Sequence, residues 1–168
     1  SEKAGARHVE IGLAPTNAVT DLGLLRQDMA NEPTNSTAEL WLVLIGHGTF
    51  DGKEGRFNLR GPDLSATELA EWLKPFRRPL VVVNCTSSSS PFLNKLSAPG
   101  RIIVTATRSG SEENYARFGK FMAEAIALSQ KGLQANQGGP FGCVIVKNDQ
   151  IVGRGNNKVT STNDPTAH

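Results

Sequence analysis

The stretch that decides the fold is LWLVLIGHG, residues 40–48. It opens with six apolar residues in a row and is interrupted by Gly46, a pattern typical of a buried strand in a parallel sheet rather than of a helix. Strand-like runs at 80–83 and 101–106 repeat the signal, and polar residues follow each of them. Because helical patterns lie between these runs, the sequence predicts an α/β fold whose parallel sheet is covered on both faces.

Two helices have clear signals. Ser65 can cap a helix, with Glu68 at the spacing of a capping box, and an apolar face follows until Pro75 limits it. Residues 118–133 repeat apolar side chains at helical spacing over about four turns and stop before the glycine-rich segment 136–140. The sequence therefore predicts one short and one long amphipathic helix.

The remaining segments have weaker patterns. Strand-like runs at 141–146 and 150–155 lie on either side of Asn148 and Asp149, which predicts a β-hairpin. Near the N-terminus, residues 8–13 are expected to form a short strand and residues 18–29 a helix. The polar residues 31–37 are interpreted as a loop or as the N-terminus of a short helix, and the segment rich in Gly, Asp and Arg that runs from 46 to 62 is interpreted as a loop.

Composition excludes two classes of partner. The 168 residues carry 18 Lys and Arg against 16 Asp and Glu, a net charge of +2, so no basic surface for nucleic acid is expected. The apolar runs are far shorter than the roughly 20 residues that cross a bilayer, and no leader opens the sequence, so no membrane association is expected. Cys85 and Cys143 lie in or beside strand-like runs, which suits reduced thiols in the cytoplasm.

A histidine and a cysteine each follow a predicted strand. His47 and Gly48 come after the first strand, and Cys85 comes directly after the second. The carboxyl ends of parallel strands meet at one edge of a sheet, so neighbouring strands would bring His47 and Cys85 together. An imidazole can activate a thiol as a nucleophile, and the N–H of Gly48 could help to hold an oxyanion. This pair predicts cysteine-peptidase chemistry, which needs no cofactor.

Residues 15–125 resemble the legumain-like, caspase-fold cysteine peptidases. The similarity rests on three runs: LVLIGHGTFDG (42–52), VVVNCTSSSSPFL (81–93) and RIIVTATRSGSEEN (101–114). It implies a three-layer caspase-like parallel sheet with flanking helices and a peptide substrate. It also implies that His47 assists the nucleophile Cys85, that the N–H groups of Gly48 and Cys85 form the oxyanion hole, and that Ser109 and Glu112 border the specificity pocket.

The run after Cys85 departs from the pattern of active peptidases in that family. Active members carry Glu-Ala before the cysteine and Ser-Gly close after it, whereas Val83 and Asn84 precede Cys85 here and residues 87–90 are all serine. A non-catalytic scaffold with the same fold is therefore an open alternative to a peptidase.

The last 48 residues, FMAEAIALSQKGLQANQGGPFGCVIVKNDQIVGRGNNKVTSTNDPTAH (121–168), resemble a second family. They are similar to the opening of the zinc-dependent cytidine and deoxycytidylate deaminases, and most of all to the guanine deaminase branch. The resemblance implies that His168 is the first zinc ligand, that Asn157 hydrogen-bonds a purine, and that Phe141 and Gly142 shape the floor of the pocket. Cys143 is expected to be a core residue rather than a ligand.

The implied zinc site is incomplete in this sequence. In that family an Ala-Glu pair follows the histidine, and a Pro-Cys-x-x-Cys motif completes the metal site. Zinc takes about four ligands, and hydrolytic deamination also needs a carboxylic acid to move protons. His168 alone supplies neither, so residues 1–168 by themselves are not expected to deaminate a nucleobase.

The two resemblances predict two segments. A caspase-like segment would span 1–118 and the incomplete deaminase segment, a helix plus a β-hairpin, would span 119–168, with the helix at 118–133 fitting both. Such a chain suggests a fused reading frame, and the hairpin would expose an apolar edge through which copies could self-associate. Three hypotheses stay open: a cysteine peptidase, a fragment of a nucleobase deaminase, and a non-catalytic scaffold.

Overall fold

The structure is a computed structural model that describes residues 7–13, 19–112, 118–139, 141–148 and 150–163. The chain divides into two compact units, unit 1 at residues 1–116 and unit 2 at residues 117–168. Among the residues described, no helix has the length and apolar character needed to cross a membrane.

Unit 1 is a mixed α/β structure with a parallel sheet and flanking helices. Its elements in chain order are α1 (Asp21–Asn31), β1 (Leu40–Leu44), β2 (Gly48–Phe50), β3 (Gly55–Phe57), β4 (Leu64–Ser65), α2 (Ala66–Leu73), β5 (Leu80–Asn84), α3 (Ser90–Leu96) and β6 (Arg101–Thr105). The three strands predicted at 40–45, 80–83 and 101–106 are confirmed as β1, β5 and β6, and the end of each differs from the prediction by one residue. They form a parallel sheet in the order β1-β5-β6, with Leu40 beside Leu80 and Leu80 beside Arg101.

The core of unit 1 lies on one face of this sheet. Alternate residues of the strands point to it, and helices α1, α2 and α3 each contribute side chains to the same cluster. Its buried members are Leu25, Met29, Leu44, Phe57, Leu64, Ala66, Leu69, Leu73, Phe76, Leu80, Val82, Phe92 and Leu96. A fully buried side chain of this kind stabilises the fold by about 1.5–3 kcal/mol.

The expectation of two covered faces is wrong for the described residues. The opposite face is formed by Trp41, Val43, Val81, Val83, Ile102 and Val104, which share a side of the sheet because they alternate with the core residues and lie in register. We call it the open face. Trp41 is 57% exposed and Ile102 is 62% exposed. The helices of this unit therefore form one layer, and the described residues give two layers where three were predicted.

The one-sided arrangement follows from the chain's path. The strands advance in a single direction, from β1 to β5 to β6, and connections between parallel strands are almost always right-handed. Two such steps in one direction place both connecting helices, α2 and α3, on the same face.

A small antiparallel sheet lies where a loop was predicted. β2 pairs with β3, and β3 pairs with β4, within the segment that follows β1. Each strand has only two or three residues, which is too short to show an alternating pattern in the sequence. The short strand expected at 8–13 is wrong, since residues 7–13 form no strand in the structure.

Helix α2 begins as predicted. The Oγ of Ser65 accepts a hydrogen bond from the N–H of Glu68 at 3.0 Å, and the helix ends at Leu73, before Pro75. The carboxylate of Glu54 adds a second cap, because it accepts bonds from both the N–H and the hydroxyl of Thr67. Glu54 lies beside the antiparallel sheet and is 13 residues away from Thr67 in sequence, so no local sequence pattern predicts this cap.

Helix α1 carries a buried ion pair at its first residue. The side chain of Asp21 is 3% exposed, and the guanidinium of Arg60 donates to both of its carboxylate oxygens at 2.9 Å. These hydrogen bonds hold the pKa of Asp21 below its ordinary value. Stability from the pair is therefore fully present above the unfolded pKa of an aspartate and is lost as the pH falls through the lower folded pKa.

In the Asp21→Asn variant, we expect the free energy of unfolding to fall less steeply than in the wild type as the pH is lowered. Its urea midpoint should be lower than that of the wild type at neutral pH, and the two should converge between about pH 5 and pH 2. Asp28→Asn, in the same helix and without an ion pair in the described part of the chain, is the matched control and should keep the wild-type slope. If the urea midpoint of Asp21→Asn changes with pH as steeply as that of the wild type, Asp21 does not contribute to the loss of stability in acid.

Unit 2 is a helix packed on a hairpin. Its elements are α4 (Phe118–Gln134), β7 (Gly142–Lys147), β8 (Gln150–Asn156) and α5 (Val159–Thr162). β7 and β8 pair antiparallel, with a register shift between Ile145 and Val146, so the predicted long helix and hairpin are both confirmed. Gly142 lies directly against the backbone of α4, where an added Cβ would stand 2.0 Å from the carbonyl oxygen of Ala125.

Candidate functional site

The loops that follow the parallel strands meet at one edge of the sheet. The N–H of Gly48 donates to the Oγ of Ser87 at 3.0 Å, and that hydroxyl donates to the carbonyl of Gly48 at 2.9 Å. A Cβ at position 48 would stand 2.2 Å from the carbonyl oxygen of Ser87, so only glycine allows this approach. The loop after β1 therefore lies against the loop after β5.

The side chains of His47 and Cys85 have different environments at this edge. His47 is exposed, and its carbonyl accepts a hydrogen bond from the N–H of Asn58 at 3.0 Å. Cys85 is 6% exposed, and this burial raises the pKa of its thiol. Within the described residues, no hydrogen bond joins the imidazole to the thiol. A reactive cysteine needs a lowered pKa and access, and Cys85 has neither.

The predicted oxyanion donors are already engaged. The N–H of Gly48 is bonded to Ser87, as described above, and the N–H of Cys85 donates to the carbonyl of Leu44 at 2.8 Å. The second bond continues the pairing of β1 with β5 past the end of the strand. An oxyanion hole needs N–H groups directed at a reacting atom, so the prediction of these two donors is corrected: both serve the fold here.

Ser109 and Glu112 lie in the loop after β6, as predicted. Glu112 makes hydrogen bonds to other residues of this edge. Its carbonyl accepts from the N–H of Ser88 at 2.9 Å, and its carboxylate accepts from the N–H of Arg108 at 3.2 Å. Ser109 is exposed. Glu112 therefore ties the loop after β6 to the loop after β5.

The edge is filled by small polar side chains that sequence reasoning treated only as a polar stretch. Their buried members are Asn84, Thr86, Ser87, Ser88, Ser89 and Thr107. The Oγ of Ser89 accepts from the N–H groups of Ala106 and Thr107 at 3.0 and 3.1 Å, which attaches this segment to the end of β6. The unbroken run of serines directly after a predicted strand could have indicated these buried polar side chains.

Ser88 is the strained member of this segment. Its φ is +51°, a conformation that favours glycine, and its buried Oγ has no hydrogen-bond partner among the described residues. Left-handed backbone costs a residue with a side chain about 1–2 kcal/mol, and an unsatisfied buried hydroxyl costs about 1–3 kcal/mol.

The Ser88→Gly variant is expected to stabilise unit 1. The gain should be about 1 kcal/mol, because the relief of strain and of the buried hydroxyl exceeds the extra freedom of glycine in the unfolded chain. Ser89→Gly is the matched control and should destabilise the unit by about 2 kcal/mol, since it removes two hydrogen bonds to the backbone. Urea unfolding measures both, and a loss of stability in Ser88→Gly would contradict the assignment of strain.

In unit 2 the glycine-rich turn is built around Asn157. The side chain of Asn157 is buried, and its Oδ1 accepts from the N–H of Gly139 at 3.2 Å. The N–H of Asn157 donates to the carbonyl of Phe141 at 3.0 Å. The ring of Phe141 is 66% exposed. These bonds fix Gly139 and Phe141 to the end of β8.

Gln137 is a second anchor of this turn, which sequence reasoning missed. Its Oε1 accepts from the side-chain amide of Asn156 at 2.8 Å, and its carbonyl accepts from the N–H of Ser161 at 2.9 Å. The turn is therefore held by a side chain and a backbone group on either side of Asn157. Gln137 looks like an ordinary residue after a helix, so no local pattern singles it out.

The described residues do not make a metal site by themselves. Among them no group of three His, Cys, Asp or Glu side chains lies close enough to hold an ion. Cys143 is exposed, which corrects the expectation of a core residue. Glu124 is paired with Arg154 at 2.7 Å. His168, the predicted zinc ligand, lies outside the described residues.

Comparison with known proteins finds relatives for the C-terminal region. Residues 117–168 match the family described as the cytidine and deoxycytidylate deaminase zinc-binding region. Guanine deaminase from Bacillus subtilis (strain 168) is 52% identical over 48 residues, which are 29% of this chain and 31% of that protein. An X-ray structure of the Bacillus subtilis enzyme is 50% identical, covers 30% of this chain and 32% of its own, and gives a TM-score of 0.29.

These matches cover only part of the chain and only part of the relatives. The chain spans about a third of the length of the curated relative it matches. The matches concern the C-terminal region, and they give no support to the legumain-like assignment of residues 15–125. The C-terminal region is thus similar to the zinc-binding region of cytidine and deoxycytidylate deaminases, and to guanine deaminase in particular.

Proposed function

We propose that residues 117–168 form the part of a zinc-dependent nucleobase deaminase that begins its metal site, with guanine as the substrate. The observation that carries the proposal is the 52% identity over 48 residues to a guanine deaminase. The hydrogen bonds of the turn support it, because they join Asn157 to Gly139 and Phe141 within the matched stretch. A small nucleobase is therefore the proposed partner.

Two residues have proposed roles in this function. Asn157 would present a preset amide to the purine, since its backbone and side chain are both fixed by the glycine-rich turn. His168 would be the first ligand of a zinc ion that activates water when bound. The other ligands and the proton-transferring carboxylate would come from the part of a deaminase that this chain does not span.

Fragment complementation tests the proposal. The chain is mixed with the portion of the Bacillus subtilis enzyme outside the matched stretch, and ammonia release from guanine and bound zinc are both measured. The expected result is activity with zinc bound. Asn157→Ala should lower the rate by about 10²-fold, because a misplaced substrate loses rate, whereas Gly155→Ala should leave it unchanged. The enzyme's own matched fragment is the positive control; activity with that fragment and none with this chain would reject the proposal.

We further propose that unit 1 is a non-catalytic scaffold rather than a cysteine peptidase, and that the chain is a fusion of two segments in the cytoplasm. What supports the scaffold is the burial of Cys85 and the use of both oxyanion donors within the fold. A peptidase would require the thiol to reach a substrate and the donors to point at it.

Thiol labelling distinguishes the two functions. In the native chain the exposed Cys143 should react with a small disulfide reagent at least about 100-fold faster than the buried Cys85, because reactivity follows access and thiolate content. The Cys143→Ala variant should then show almost no fast labelling, and the Cys85→Ala variant should label like the wild type. Fast labelling of Cys85 that is lost in His47→Ala would restore the peptidase hypothesis.

A further inference from the structure

The side-chain amide of Asn156 lies between the end of α4 and the backbone of Asn157. Its Nδ2 donates to the Oε1 of Gln137 at 2.8 Å and to the carbonyl oxygen of Asn157 at 3.4 Å. An amide nitrogen carries two hydrogens, and these two bonds use both of them. Gln137 is therefore connected to the backbone of Asn157 through a single intervening side chain.

Asn157 is bonded on its side chain and on both of its peptide groups. The side chain is 4% exposed, and its Oδ1 accepts from the N–H of Gly139 at 3.2 Å. The N–H of Asn157 donates to the carbonyl of Phe141 at 3.0 Å, and the carbonyl of Asn157 accepts from Asn156. The direction of the Asn157 side chain therefore depends on how the amide of Asn156 is held.

Gly132 makes room for the Asn156 amide against α4. It lies inside the helix, two residues before its end, and its backbone is not left-handed, so no turn requires glycine there. A glycine in a helix is normally less stable than an alanine. An alanine Cβ at this position would stand 2.6 Å from the Nδ2 of Asn156 and would push the amide away from Gln137. The helix therefore carries its less favourable residue where Asn156 packs.

Backbone bonds fix Gln137 itself. Its N–H donates to the carbonyl of Gly132 at 3.0 Å, and its carbonyl accepts from the N–H of Ser161 at 2.9 Å. Both bonds use backbone atoms of Gln137, whereas the bond to Asn156 uses the side chain. A substitution at position 137 can therefore remove the bond to Asn156 and leave the other two in place.

We propose that Gln137 is a positioning residue for Asn157. Through the amide of Asn156 it holds Asn157 in the orientation that a hydrogen bond to a purine requires. The inference rests on the proposed function, because that function is what gives Asn157 a ligand. Gln137 acts through Asn156 and does not touch the substrate, and Gly132 provides the space in which the Asn156 amide lies.

Hydrogen exchange in the chain alone tests the positioning directly. Gln137→Met keeps the length of the side chain and removes the acceptor, whereas Gln137→Glu keeps an acceptor oxygen. The N–H of Gly139 reports on the Oδ1 of Asn157. It should exchange at least about tenfold faster in Gln137→Met and within about twofold of the wild-type rate in Gln137→Glu. The amides of β7 should exchange as in the wild type in both variants.

Two further variants separate this effect from a general loss of stability. Gly132→Ala should speed the exchange of the Gly139 N–H as much as Gln137→Met does, although alanine favours the helix. Gln134→Met makes the same change of side chain at the exposed last residue of α4 and should exchange like the wild type.

The complex with the complementing portion of the Bacillus subtilis enzyme shows whether this orientation serves deamination. Gln137→Met should lower kcat/KM for guanine about tenfold with the zinc content unchanged, and Gln137→Glu should stay within about threefold of the wild type. In an Asn157→Ala background Gln137→Met should have no further effect, because a residue that acts through Asn157 then has nothing to position. A residue with a merely structural role would lower kcat/KM by the same factor in both backgrounds.

Three results would overturn the inference. One is an unchanged exchange rate of the Gly139 N–H in Gln137→Met, regardless of activity. Another is an equal loss of kcat/KM in the wild-type and Asn157→Ala backgrounds, and the third is an equal loss in Gln137→Met and Gln137→Glu. If the wild-type complex is inactive while the enzyme's own fragment is active, the proposed function fails, and the exchange rates still decide whether Gln137 holds Asn157.

Discussion

Replacing Gly142 with alanine is expected to unfold unit 2. An added Cβ would stand 2.0 Å from the carbonyl oxygen of Ala125 and 2.6 Å from the amide nitrogen of Ser129, both in the backbone of α4. Neither atom can move without displacing the helix or the hairpin. The cost should be about 3 kcal/mol or more, which matches the whole stability of a unit of about 50 residues.

Gly155→Ala is the matched control for this substitution. Gly155 lies on the neighbouring strand of the same hairpin, opposite Cys143, and an added Cβ there would meet no atom within 4 Å. Its expected effect on stability is within about 0.5 kcal/mol. Hydrogen exchange of the hairpin amides measures both variants. Protected amides in Gly142→Ala would show that Gly142 does not lie directly against the backbone of α4.

Replacing Gly48 with alanine has the second large expected effect. Its added Cβ would stand 2.2 Å from the carbonyl oxygen of Ser87, 2.8 Å from the hydroxyl of Thr86 and 3.0 Å from the carbonyl oxygen of Arg56. The two hydrogen bonds between Gly48 and Ser87 would be broken as the loops separate. We expect unit 1 to lose about 3 kcal/mol, yet to remain folded at 25 °C because its core is larger.

The control for Gly48→Ala is Gly52→Ala in the same antiparallel sheet region. Gly52 has open space around its Cα but a φ of +91°, so alanine there costs backbone strain alone. That cost should be about 1–2 kcal/mol. The difference between the two urea midpoints isolates the contact with the loop after β5. Equal midpoints would show that this contact adds nothing to stability.

The parallel strands and the long helix could be predicted because their signals are local. Residues 40–45 and 80–83 are apolar without interruption, residues 102–104 form a shorter apolar run between Arg101 and Thr105, and burial in a parallel sheet selects that pattern. Strands β2 to β4 carry no such pattern, since each is defined by its pairing with a neighbour rather than by its own residues. The caps from Glu54 and the ion pair of Asp21 with Arg60 likewise join residues far apart in sequence.

The candidate site could be predicted in position but not in chemistry. The loops carrying Gly48 and Cys85 do meet, as the rule for parallel strands requires. Whether an N–H is available or a thiol is accessible depends on atoms from other elements. The N–H of Cys85 is taken by Leu44, and burial of the thiol comes from the packing around it. Sequence alone has no measure of either.

The strand order of the parallel sheet explains why the loops at its carboxyl edge pack against one another and leave no crevice there. Open α/β sheets bind ligands where the strand order reverses, because adjacent loops then leave in opposite directions and a crevice forms between them. The three described parallel strands advance without a reversal, so their loops leave on the same side and pack on one another. Hydroxyl groups occupy the space that a reversal would have opened to a ligand.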